Sequence, residues 1–251
     1  MSTESTQSKA CCNLPAIVNK DYKTKGDYIT ADGLKTYATG PKEAKQGILV
    51  VYDIFGFFEQ TLQGADILAY SDQEHPYQVF MPDFFEGEPA DISWYPPDNE
   101  EKGKKLGEFF QTKAAPPKTL PRIPKIVNEL GKSHGIEKWA VVGYCWGGKI
   151  VNLSSMEGTV FKVAAACHPA MVAGDDAPGI TIPYVMLPSG DESKEDVEKW
   201  EKGLKVPHLV KWYPDQLHGW MAARAELEDP KVKTAYEDGY KTLLDFFHQH
   251  I

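Results

Sequence analysis

The sequence predicts an α/β protein in which a mostly parallel sheet is flanked by helices and carries an antiparallel hairpin at its N-terminal edge. Three observations lead there. Short, wholly apolar runs recur along the chain, segments of helical length separate them, and an Asp-Gly turn signal joins two short strands near the beginning. Strands that alternate with helices are joined by right-handed crossovers, which build a parallel sheet covered on both faces. The 251 residues are 42% hydrophobic and 25% charged, values that exclude wholesale disorder, collagen-like repeats and a disulfide-framed miniprotein. A chain of this length buries roughly 70–75% of its unfolded surface, so core size is not limiting.

In chain order, Asp27 to Thr30 and Leu34 to Thr39 flank Ala31-Asp32-Gly33 and form the edge hairpin. Gly47 to Asp53 is a continuous apolar run, the pattern of a strand buried on both faces. Similar runs follow at Gln78 to Pro82, Trp139 to Gly143, Val163 to Cys167, Tyr184 to Leu187 and Leu209 to Tyr213. Helices are expected over Leu62 to Ser71, Glu100 to Gln111, Arg122 to His134, Gly147 to Ser155, Glu195 to Lys205 and Thr234 to Gln249. The proline-rich stretch Asp83 to Asn99 reads as a long loop of the kind that shapes a binding site. No repeat or linker divides the chain, which gives a polar N-terminal tail and lead-in over 1–25 and a single domain over 26–251.

Thirty-six acidic residues against 27 basic ones give a net charge of −9. Such a field repels phosphate backbones and anionic lipid, so neither nucleic acid nor membrane is an expected partner. The arginines are Arg122 and Arg224, a short list of bidentate carboxylate binders. Four cysteines, with Cys11 and Cys12 adjacent in the tail, show neither a disulfide framework nor C-x-x-C metal spacing. With no apolar signal-peptide core near the N-terminus, a cytoplasmic protein is expected.

Gly143-Tyr144-Cys145-Trp146-Gly147 stands between a buried strand and a helix and fits G-x-[Ser/Cys]-x-G with cysteine as nucleophile. Glycines flank such a nucleophile because the turn is sharp and neighbouring backbone packs close, while the helix N-terminus favours a thiolate. A buried cysteine in a glycine-rich turn is the plainer alternative. The remaining members of a triad should follow in the order acid, then base. Asp191, in Pro188-Ser189-Gly190-Asp191-Glu192, and His218, in Gln216-Leu217-His218-Gly219-Trp220, both follow strands at the edge where α/β proteins place ligands. Asp215 reads better as a turn residue after Pro214, and His168 as a cleft or packing residue. His75, His134, His208, His248 and His250 have no motif around them and read as surface or packing residues, and Cys167 as an inert core thiol. Backbone N–H groups of Ile54 and Trp146 are the expected oxyanion donors.

Asp53-Ile-Phe-Gly56, Met81-Pro-Asp-Phe84, Gly143 to Gly148, Gly190-Asp191 and His218-Gly-Trp-Met-Ala-Ala-Arg224, taken in this order, resemble the dienelactone hydrolase family. The resemblance runs from about residue 47 to the C-terminus and implies an α/β-hydrolase fold. It also implies hydrolysis of lactones or other activated esters by Cys145, Asp191 and His218, with no metal or organic cofactor. It further implies that the carboxylate at position 53, typically glutamate in the family and here the shorter Asp53, partners the resting cysteine, while a strand-end carboxylate capping nearby backbone is the plainer alternative. The shorter arm leaves a direct Cys145–His218 ion pair as the other activation route. Arg224 matches a family arginine that can hold a substrate carboxylate, and Tyr144 and Trp220 join it as expected substrate contacts, with core packing the plainer reading of each aromatic alone. The loop from Asp83 to Asn99 holds no second arginine. A redox-sensing thiol on the same fold and a catalytically silent binding module are the competing readings.

Overall fold

The computed structural model describes residues 22–95 and 97–251. The readings made for the tail, including Cys11 and Cys12, lie outside the described residues. Strands β1 (Asp27–Ala31) and β2 (Leu34–Thr39) form the hairpin, with Asp32 and Gly33 both at positive φ, as a two-residue turn of this hand requires. The chain continues through β3 (Gln46–Val51), α1 (Glu59–Tyr70) and β4 (Tyr77–Pro82), then α2 (Glu100–Gln111), α3 (Pro116–Thr119) and α4 (Ile123–His134). It ends with β5 (Lys138–Tyr144), α5 (Trp146–Ser154), β6 (Val163–Cys167), β7 (Tyr184–Leu187), α6 (Lys194–Gly203), β8 (His208–Val210) and α7 (Pro230–His250).

Among the described residues these strands make one eight-stranded sheet in the order β1-β2-β4-β3-β5-β6-β7-β8. The β1–β2 and β2–β4 pairs are antiparallel and the rest parallel. The apolar runs fill the central strands, and β4, β6 and β7 are buried along their whole length. Helix α4 shows how the layers meet: Ile123, Ile126, Val127 and Leu130 recur at helical spacing and are buried. Gly135 ends that helix in the left-handed conformation. Buried Asp66 of α1 ties in the hairpin, accepting hydrogen bonds from Tyr37, Thr39, Tyr22 and the Lys25 backbone N–H.

The short α3 lies where the sequence predicts no helix, and two further elements differ from expectation. The last strand ends at Val210, and Tyr213 keeps only an isolated bridge to Ser189. Among the described residues β8 is an edge strand with His208 and Leu209 exposed, so no described neighbour on that side prolongs the ladder. The loop after β4 is not structureless: Asp91 accepts from the Ser93 N–H and caps a 3₁₀ turn over Ile92–Trp94.

Candidate active site

All central strands run the same way, so the segments that follow β3, β5, β6, β7 and β8 gather at one sheet edge. Cys145 stands immediately after β5 with φ 54° and ψ −113°, a conformation strained for a residue with a Cβ. The surrounding glycines explain how it is held. A Cβ on Gly143 would meet Gly147 O at 2.1 Å, and one on Gly147 would meet Val51 O at 2.0 Å. Three backbone hydrogen bonds pin the turn: Cys145 N–H to Cys167 O, Gly148 N–H to Cys145 O and Ala170 N–H to Cys145 O. The thiol therefore projects from a fixed elbow at the start of α5, where the helix dipole favours negative charge.

His218 meets Cys145 through its side chain. Its Nδ1 is 2.6 Å from Glu192 Oε1, and the other Glu192 oxygen accepts the Ser189 N–H. Burial opposes the imidazolium, but the charge and hydrogen bond of Cys145 and those of Glu192 prevail and hold its pKa well above the usual histidine value. The acid on the histidine ring is thus Glu192, and the expectation for Asp191 is corrected. Asp191 is exposed and its carboxylate accepts the backbone N–H of His218 at 2.7 Å. The cause is the tight turn. Gly190 N–H bonds Gln216 O, and a Cβ on Gly190 would strike Pro214 O at 2.4 Å. With the two loops this close, the residue directly after Gly190 reaches the main chain, and the next one, on the longer glutamate arm, reaches the ring. The only signal for Glu192 in the sequence is its place beside Asp191 in the same acidic turn.

Asp53 is buried, and its two oxygens accept the N–H groups of Phe55 at 2.9 Å and Ala223 at 3.2 Å. Burial raises its pKa to about 6 against those two hydrogen bonds and the nearby His218 charge. The contacts seen for Asp53 are thus a backbone tie. The short side chain spends both oxygens joining the turn after β3 to the segment after His218. Ile54 O in that turn accepts the Ala90 N–H at 2.8 Å, which fixes the turn from the other side. Among the described residues neither the Ile54 nor the Trp146 N–H donates a hydrogen bond.

The aromatic and basic candidates divide. Tyr144 is sealed in the core, donating to the Tyr240 hydroxyl at 3.0 Å while Tyr240 donates to Met221 O, so its expected substrate contact is corrected to an internal hydrogen-bond chain. The Trp146 side chain is also internal, with its indole N–H on Ala114 O and its ring against Phe85. Trp220 packs on Tyr213 with centroids 4.4 Å apart and lines a cleft of about 460 Å³. Arg224 lines the same cleft with Tyr95, Ile92 and Leu217. One guanidinium nitrogen donates to His218 O at 2.7 Å, and the group lies 4.8 Å from the Tyr95 ring centroid. Asp215 is exposed in that cleft wall. Arg122 is elsewhere, bound to Asp32 and Glu86.

His168, at positive φ after β6, is fully buried with both ring nitrogens unpartnered and lies edge-on to His218, centroids 5.2 Å apart. Burial, with the charges of His218 and Arg224, holds its pKa well below the usual value. A neutral ring there leaves the charge on His218.

A cysteine at a strained strand-to-helix elbow on this sheet order defines an α/β-hydrolase-fold protein. The profile of the dienelactone hydrolase family matches residues 34–251, and the chain belongs to that family. It is 33% identical to the uncharacterized AIM2 family protein C30D10.14 of Schizosaccharomyces pombe, covering 95% of this chain and 98% of that one. It is 26% identical to a carboxymethylenebutenolidase homolog of Xenopus tropicalis over 91% of this chain and 92% of the relative. In fold it resembles a solved candidate dienelactone hydrolase from Klebsiella pneumoniae, with a TM-score of 0.68, 22% identity and coverage of 89% and 97% of the two chains. Membership of that family supports a hydrolase. No helix of the described residues is long and apolar enough to cross a membrane.

Proposed function

We propose that the protein hydrolyses carboxylic esters, lactones among them, with Cys145 as nucleophile, His218 as acid and base and Glu192 as the carboxylate that orients it. The observation that carries the reading is the continuous array from the strained Cys145 through His218 to Glu192, with Nδ1 held at 2.6 Å.

In the first half-reaction the Cys145 thiolate attacks the ester carbonyl, and the carbonyl electron pair moves onto oxygen. That oxyanion takes the free N–H groups of Ile54 and Trp146, donors fixed before the charge develops. Collapse of the intermediate breaks the carbon–oxygen bond of the alcohol portion, and His218 Nε2 delivers a proton to the departing oxygen. With Nδ1 committed to Glu192, Nε2 is the nitrogen left to move protons. In the second half, Nε2 takes a proton from water as it attacks the thioester, and the thiolate is released with the acid product. The protein groups present suffice for both halves, so the reading invokes no cofactor. Cleavage of a small panel of lactones and aryl esters by wild type and by Cys145→Ala tests it. Turnover that falls by several orders of magnitude in the variant supports the reading, and equal turnover by both proteins overturns it.

A further inference from the structure

Across the sheet from this site, the short loop between α1 and β4 faces the last turn of α7. β4 begins at Tyr77 and runs parallel to β3, so this loop lies at the strand starts, the edge opposite Cys145. Three side chains with metal-ligand atoms meet there: Asp72, His75 and His248. We propose that they form a site for one transition-metal dication of the Zn(II) class.

The geometry supports this in three ways. Asp72 Oδ2 lies 3.8 Å from His75 Nδ1 and 3.4 Å from His248 Nδ1, and all three donor atoms fall within 4.8 Å of one another. Ligands bound at about 2.0–2.1 Å around a tetrahedral ion stand roughly 3.3 Å apart, whereas hydrogen-bonded pairs close to about 2.9 Å. Both separations from Asp72 exceed a hydrogen bond, and the 3.4 Å to His248 is close to the ligand spacing. Among the described residues His75 Nδ1 is moreover a buried nitrogen with no hydrogen-bond partner, an arrangement that an ion beside it would satisfy. Finally, Asp72 is already oriented. Its Oδ1 accepts the backbone N–H groups of Glu74 and His75, which turns Oδ2 toward both imidazoles and supplies the supporting hydrogen bonds that metal carboxylates have. The two rings pack with centroids 3.6 Å apart, each presenting Nδ1 to the same oxygen.

Two imidazole nitrogens with one carboxylate oxygen suit zinc and its neighbours in the first transition row and do not suit calcium or magnesium, which take oxygen ligands. His75 and His248 are partly exposed, so water can enter and complete the coordination. Standing away from Cys145, the ion would act on the fold by joining the loop before β4 to the end of α7.

The test uses chelator-stripped full-length protein carrying Cys11→Ser, Cys12→Ser and Cys145→Ala, so that these thiols do not compete. Zinc chloride is titrated against a chromophoric chelator, and cobalt chloride is added separately to read visible absorption. The expected result is one Zn(II) per chain, tetrahedral cobalt bands and a thermal transition raised by zinc but not by magnesium. Loss of supporting groups alone weakens metal sites about 10–100-fold, so His75→Gln and His248→Gln should each weaken zinc by about 100-fold or more and abolish the thermal shift. Circular dichroism of each variant reports that it is folded. The proposal is overturned if the parent binds no zinc at micromolar concentration, which would make the cluster an ordinary ion pair, or if the folded double histidine variant binds zinc as the parent does.

Discussion

Glu192 Oε1 stands 2.6 Å from Nδ1 of His218, while Asp191 touches only the main chain of the same histidine. This division assigns different consequences to two adjacent carboxylates. Glu192→Gln keeps the shape but removes the charge that stabilises the imidazolium and selects its tautomer. By analogy with triad aspartate-to-asparagine changes, kcat should fall about 10³–10⁴-fold. Asp191→Asn keeps an acceptor for the His218 N–H and should cost less than about tenfold. Steady-state kinetics on one activated ester decide the matter, and a larger loss from Asp191→Asn would reverse the assignment.

That pair also marks the limit of legibility. Cys145 and His218 were readable because each follows a strand end inside a local pattern that no other cysteine or histidine shares. The choice between Asp191 and Glu192 depends on how closely Gly190 lets its turn approach Pro214 and Gln216, a contact between segments far apart in sequence. The core strands were legible as apolar runs. The early end of β8 was not, since it depends on the strand having no outer neighbour among the described residues. Tyr144 and Asp53 illustrate the same limit: their places in the motifs are local facts, but the Tyr240 hydroxyl and Ala223 N–H that occupy them come from remote parts of the chain.

Asp53 provides a pH signature. Its pKa rises from 3.8 to about 6 on folding, so between those values the folded state binds more protons than the unfolded one. Stability from this group is full below about pH 4 and is lost as pH climbs through about 6, roughly 3 kcal/mol for a shift of about two units. Asp53→Asn removes the titration. Urea denaturation at pH 4 to 7 should therefore show the wild type losing ground relative to the variant as pH rises, whatever the offset from the altered hydrogen bonds. Parallel curves would mean that Asp53 ionises in the folded protein as it does in the unfolded chain.

The elbow glycines should be intolerant for a reason unrelated to chemistry. A methyl on Gly147 drives into the Val51 carbonyl, which is sheet backbone and has nowhere to move. Gly147→Ala should cost at least about 4 kcal/mol, in the range of severe core lesions. Gly103, within α2, meets nothing within 4 Å, so Gly103→Ala should stabilise by about 0.4–1 kcal/mol. Chemical denaturation of the two variants gives the contrast, and a well-folded Gly147→Ala protein would contradict the packing argument.

Arg224 bears on selectivity. One nitrogen of its guanidinium is held by His218 O and the group lies by the Tyr95 ring, which fixes it in the cleft wall with other N–H donors left to meet a ligand. A charge-assisted hydrogen bond from this group to a substrate carboxylate contributes about 1.5–3 kcal/mol, or one to two decades in kcat/KM. Arg224→Met also removes the bond to His218 O, so absolute rates should fall for every substrate. The informative quantity is a ratio. For two esters matched except for a free carboxylate on the acyl portion, the preference for the anionic ester should drop by one to two decades in the variant, since damage at His218 affects both alike. An unchanged ratio would show that the arginine supports the histidine loop and plays no part in choosing the substrate.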